Sequence, residues 1–66
     1  MNKVLANRLQ AIAQGNNFNS GALYQALEHP VTTVNDKQMI HRYMHGAELR
    51  MDRFKLQQLA LEIFNY

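Results

Sequence analysis

A 66-residue chain that is 47% hydrophobic and 18% charged is one small domain, apolar enough for a helical core and below the charge of a disordered segment. Its net charge of +2 permits a phosphate-contacting surface without demanding one. It has no cysteine, which excludes disulfides, thiolate zinc sites and thiol nucleophiles, and no apolar run of the roughly 18–20 residues that a membrane span needs.

Gly15, Pro30 and Gly46 punctuate the chain into pieces of helical length. The opening "MNKVLANRLQAIAQ" lacks a continuous apolar run, so no signal peptide is expected and a cytoplasmic protein is. Val4, Leu5, Leu9, Ile12 and Ala13 recur at the helical period and predict a helix over 3–14. Gly15 suits a left-handed residue at its end. A second helix is predicted from the Asn19 cap to about Glu28, with Phe18 and Leu23 at the spacing of a hydrophobic staple. Leu23 and Leu27 face inward with Tyr24 beside them. Pro30 pushes His29 out of the helical region, and the β-branched residues 31–33 read as an extended connection.

The stretch "VNDKQMIHRYMHG" predicts a third helix over 35–45, capped by Asn35 with Gln38 three residues on, stapled by Val34 and Met39, and ended at Gly46. Met39, Ile40, Tyr43 and Met44 form its apolar side. Residues 47–51 alternate apolar and polar, as in a short extended connection, although an extra helical turn fits equally. Asp52 then caps a last helix to about Phe64, with Met51 and Leu56 at staple spacing and Leu56, Leu59, Ala60 and Ile63 facing the core. The expected fold is all-α: a single domain, 1–66, of about four short helices in orthogonal or bundle-like packing.

Three constellations bear on function. The second and third helices are the one pair that could form a helix-turn-helix, which needs a wide-angle crossing and polar side chains at the front of the second helix. Lys37, Gln38, His41 and Arg42 would line that side; Gln suits adenine, and Arg suits guanine or phosphate. Arg50, Arg53 and Lys55 would hold phosphates, whereas Asp36 would repel them. "NSGALYQAL", "MIHRYMHG" and "LQQLALEI" give the segment from Asn19 to Ile63 a resemblance to a distant lambda-repressor-like (Cro-type) helix-turn-helix domain. Leu23, Ala26, Ile40, Gly46, Leu59 and Ala60 match the family's leucine–alanine, isoleucine and glycine positions. The resemblance covers about two-thirds of the chain and implies a double-stranded DNA partner and a regulatory role; the size, the absence of cysteine and the helix pattern suit a regulator of bacterial or phage type. One departure stands: "EHPVTTV" is longer than the motif's turn of about three or four residues.

His41 and His45 share a helix face, and Glu48 or His29 could join them, but no HExxH pattern accompanies the pair, so no metal is expected. No nucleophile stands in a recognisable setting and there is no glycine-rich phosphate loop, so neither catalysis nor a cofactor is expected. Surplus apolar residues are the third feature. Phe54 and Leu61 lie seven apart on a different side of the last helix from its core face, Phe64 and Tyr66 widen the arc, and Met44 adds a flexible apolar group. Either helix one covers this second stripe, or Phe54, Leu61, Met44 and Phe64 form a homodimer or partner-protein interface. The rival to DNA binding is therefore a small adaptor or inhibitor.

Overall fold

The computed structural model describes residues 2–16, 18–46 and 52–65, with residues 45 and 46 described by backbone alone. Four helices follow one another: α1 (Lys3–Gln14), α2 (Ser20–Glu28), α3 (Val34–Gly46) and α4 (Arg53–Asn65). The described residues contain no strand. The expected connection at 47–51, the Met51 staple and Tyr66 lie outside the described residues. The radius of gyration is 10.3 Å, close to the roughly 11 Å of a well-packed chain of this length.

α1 begins where Asn2 accepts the Leu5 amide on its side-chain oxygen, at 3.1 Å. Its buried stripe is Leu5, Ala6, Leu9 and Ala13. Val4, expected in that stripe, is exposed, and Ile12 only partly covers the core. The stripe is rotated because α1 packs most extensively on α4. Buried Ala6, Ala13 and Ala60 are small, and small residues at a contact let two helices approach closely. Gly15 is not left-handed: its φ of −92° and ψ of −177° are extended. The Arg53 guanidinium, reaching over from α4, donates to the Ala13 and Gly15 carbonyls at 2.6 and 3.0 Å, so these acceptors need no left-handed turn.

Asn19 caps α2 as expected, accepting from the Ala22 amide at 2.9 Å, and Phe18 packs against the core. Leu23, Ala26 and Leu27 are buried, but Tyr24 is exposed, because Ala26 and Leu27 already complete the inward arc. The helix stops at His29, whose φ of −65° and ψ of 137° are what a following proline imposes. A turn from the His29 carbonyl to the Thr32 amide (2.9 Å) follows. The buried Thr32 hydroxyl then donates to the Ala26 carbonyl at 2.6 Å, joining the His29 amide on the same acceptor at 3.3 Å, where Pro30 has no amide to offer.

The cap of α3 is Thr33 rather than Asn35. Its hydroxyl accepts the Asp36 amide at 3.1 Å, and the Asp36 carboxylate accepts the Thr33 amide at 3.3 Å. This reciprocal pair is a capping box with Asp in place of Glu. Val34, expected to staple against Met39, is exposed because the helix starts one residue earlier than its sequence signals place it. The connection between α2 and α3 is thus five residues, 29–33, shorter than the span from Glu28 to Val34 suggested.

Leu5, Leu9, Leu23, Ile40, Leu56 and Ile63 are fully buried, so every helix contributes to one core. Each such side chain contributes about 1.5–3 kcal/mol of apolar burial. Besides Arg53, two polar devices tie the helices together. Asn2 donates through its side-chain amide to the Val31 carbonyl (2.6 Å) and to the Asp36 carboxylate (3.0 Å), while its backbone amide donates to the Ile63 carbonyl (3.1 Å). Tyr43 is the other: its hydroxyl accepts from the Asp52 amide and donates to the Asp52 carbonyl, both at 3.0 Å. Asp52 itself caps α4, accepting the Phe54 and Lys55 amides at 2.9 and 3.2 Å. Tyr43→Phe keeps the ring and leaves the Asp52 amide without its acceptor, while the Asp52 carbonyl keeps the Leu56 amide at 2.9 Å, so it is expected to lower stability by about 1 kcal/mol. Urea unfolding with an unchanged m-value checks this.

Candidate functional site

Two surfaces emerge from this packing. The first is the outer side of α3. Ile40 is buried, and Tyr43 and Met44 pack partly against the core, which turns Lys37, Gln38, His41 and Arg42 to the exposed side. From Val34 to Arg42 the helix rises about 12 Å, comparable to the width of the major groove of DNA.

Asp36 is the decisive residue on this helix. It is buried, with only 6% of its surface accessible. Burial by itself raises its pKa, but hydrogen bonds from Asn2 and Thr33 outweigh that and hold the carboxyl below the ordinary aspartate range. The charge is turned into the domain and hydrogen-bonded there by the Asn2 side chain and the Thr33 amide. The exposed positions from Val34 to Arg42 are therefore Val34, Asn35, Lys37, Gln38, His41 and Arg42, with no acid among them.

Beside this face runs a shallow groove between α3 and α4. One hollow of about 210 Å³ is lined by Arg42, Tyr43, Lys55, Gln58 and Glu62, among others. A neighbouring one of about 380 Å³ adds Asn35, Gln38 and Asn65. Lys55 thus lies with Arg42 on the same groove, as a second cation contributed by a second helix. Glu62 shares the groove and tempers its charge. Asn35, read from the sequence only as a cap, and Gln58, Glu62 and Asn65 were not expected at the site, because nothing local says that α4 lies alongside α3.

Arg53, expected to hold a phosphate, has another use. Besides binding the end of α1, its guanidinium lies over the Phe18 ring at 4.6 Å from the centroid. It closes the α1–α2 corner against α4. Arg50 lies outside the described residues.

The second surface is the outer side of α4. Phe54 is 67% exposed, Leu61 53% and Phe64 39%. α1 does not cover this stripe: it reaches only its edge, where the Lys3 ammonium lies 5.6 Å from the Phe64 ring centroid. Between the two helices is a hollow of about 220 Å³ lined by Ala6, Asn7, Gln10, Ala60, Leu61 and Phe64. Met44 does not join this group; it is half-buried against the core on α3.

His41 is exposed, the side chain of His45 lies outside the described residues, and His29 turns its Nδ1 to the Val31 amide at 3.3 Å. Among the described residues no three His, Cys, Asp or Glu side chains gather as metal ligands. No described helix is long and apolar enough to cross a membrane. Compared with protein-family models, curated proteins and solved structures, the chain matches none.

Proposed function

We propose that the chain is a small DNA-binding regulatory protein that lays the outer face of α3 against duplex DNA. The observation that carries this reading is the burial of Asp36. It removes the one acid from the front of α3 and leaves a surface of amides and cations. Gln38 is the base-edge reader, with His41 beside it. Lys37, Arg42 and Lys55 neutralise phosphates, with Arg42 also able to reach guanine. The five-residue connection to α2 lies near the turn length of a helix-turn-helix. Arg53 is left out of the phosphate set because α1 already holds it.

Three phosphate contacts predict weak, salt-sensitive binding. Log affinity should fall against log salt with a slope of about −3. Lys37→Ala, Arg42→Ala or Lys55→Ala should each reduce that slope by about 1. Fluorescence titration of labelled duplexes at several salt concentrations measures this. No binding at low salt, or slopes that all three variants leave unchanged, would sink the proposal.

A second reading, a protein-interaction module without a nucleic-acid role, is favoured by the exposure of Phe54 and Leu61. It predicts no DNA binding even at low salt, and a protein partner that Leu61→Lys releases while helicity stays intact.

A further inference from the structure

We propose that the outer face of α4 is a two-fold self-association surface, on which α4 pairs antiparallel with α4 of a second copy and Phe54 of each enters the other's α1–α4 hollow. The inference does not rest on the DNA-binding reading. It rests on three features of the face.

The first is self-complementarity. Phe54 and Leu61 lie seven residues apart, about 10 Å along one line of the helix. Phe54 projects, with two-thirds of its surface exposed, whereas Leu61 borders the 220 Å³ hollow formed with Phe64, Ala60, Asn7 and Gln10. A void of about 150 Å³ is enough to take a benzene ring. The knob and the hole therefore share one helix face at different heights. A two-fold axis perpendicular to α4, passing between Gln57 and Gln58, brings each knob to the partner's hole. That is the geometry of an isologous contact, in which residue i meets j and j meets i.

The second is charge. At a two-fold axis any charged residue close to the axis meets its own copy. Along this face α4 presents Phe54, Gln57, Gln58, Leu61, Phe64 and Asn65, all uncharged. Lys55 and Glu62 lie about 100° further round the helix, on the side of α3. The α4 stripe is neutral, so close to the axis a second copy meets no like charge; the cation at its edge is Lys3 of α1, over Phe64 at the end away from the axis. Lys37, His41 and Arg42 of α3 remain open in the pair.

The third is area. Phe54, Leu61 and Phe64 at their observed exposures present roughly 300 Å² of apolar surface per copy. With a polar rim, that falls below the roughly 800 Å² per partner of a standard interface. The pairing should accordingly be weak, populated only at high protein concentration.

The experiment uses the whole chain without DNA. Sedimentation equilibrium from micromolar to millimolar protein should show a monomer–dimer equilibrium. Leu61→Lys should weaken it about a hundredfold or more, because both copies lose a buried leucine and gain an unpaired charge, and far-UV dichroism should be unchanged. The chain has no cysteine, so a single Gln58→Cys, next to the proposed axis, should form an intermolecular disulfide on mild oxidation, while Lys37→Cys should not. A chain that stays monomeric at millimolar concentration overturns the proposal. So does a dimer that Leu61→Lys leaves intact, or equal cross-linking of the two cysteine variants.

Discussion

Asn2→Ala should be among the most damaging single changes outside the apolar core, lowering stability by about 2–3 kcal/mol. Three losses coincide. The side-chain oxygen no longer caps α1, which is worth about 1 kcal/mol. The Val31 carbonyl loses its 2.6 Å donor. The Asp36 carboxylate, buried and charged, loses one of its donors, and a bond to a charged group contributes about 1.5–3 kcal/mol. A domain of this length has a total stability of only about 3–10 kcal/mol, so the midpoint of thermal unfolding should fall by about 10–20 °C.

The pH dependence identifies the mechanism. The pKa of Asp36 is depressed in the folded state. Its stabilising contribution is therefore present above its unfolded pKa of about 4, and is lost as pH falls through the lower folded value. Because Asn2 donates part of that depression, the gap between the native chain and Asn2→Ala should be widest above about pH 5 and narrow towards pH 3. Urea unfolding across that range measures it. A gap that is constant with pH would mean that Asn2 acts only as the cap of α1.

Arg53→Met should lower stability by about 2 kcal/mol despite its position on an exposed side chain. Methionine keeps much of the aliphatic length but removes both donors to the Ala13 and Gly15 carbonyls and the cation over Phe18. The positive charge also sits at the α1 C-terminus, where the helix dipole favours it. Arg53→Lys should recover part of the loss, since an ammonium can reach a carbonyl but cannot stack as a flat guanidinium does. Hydrogen exchange should locate the damage in the last turn of α1. If instead DNA affinity falls with stability unchanged, Arg53 belongs to the phosphate set after all.

Much of the fold was legible in local signals. The apolar period of α4 marked Leu56, Leu59, Ala60 and Ile63, and all four are buried. Asn19 and Asp52 declared themselves as caps, and Pro30 set the end of α2, because caps and proline act through their own few neighbours. Where two local signals competed, the sequence misled. Asn35 with Gln38 and Thr33 with Asp36 both offer a cap to α3. The second wins, and the Asp36 it uses also receives Asn2 from 34 residues away. Val4 and Tyr24 sit at the edges of apolar arcs, and only the direction of the neighbouring helix decides which edge is covered.

The chain by itself therefore determined that there are four helices, nearly where each begins and ends, and which residues of α4 face inward. These follow from periodicity and capping, whose range is a turn or two of backbone. The tertiary structure alone decided which polar residues remain for other uses. It turned Asp36 inward, committed Arg53 to the end of α1, set Arg42 beside Lys55 across a groove, and left Phe54 and Leu61 bare. Those outcomes depend on contacts between residues tens of positions apart, and such contacts exist only once the helices have packed.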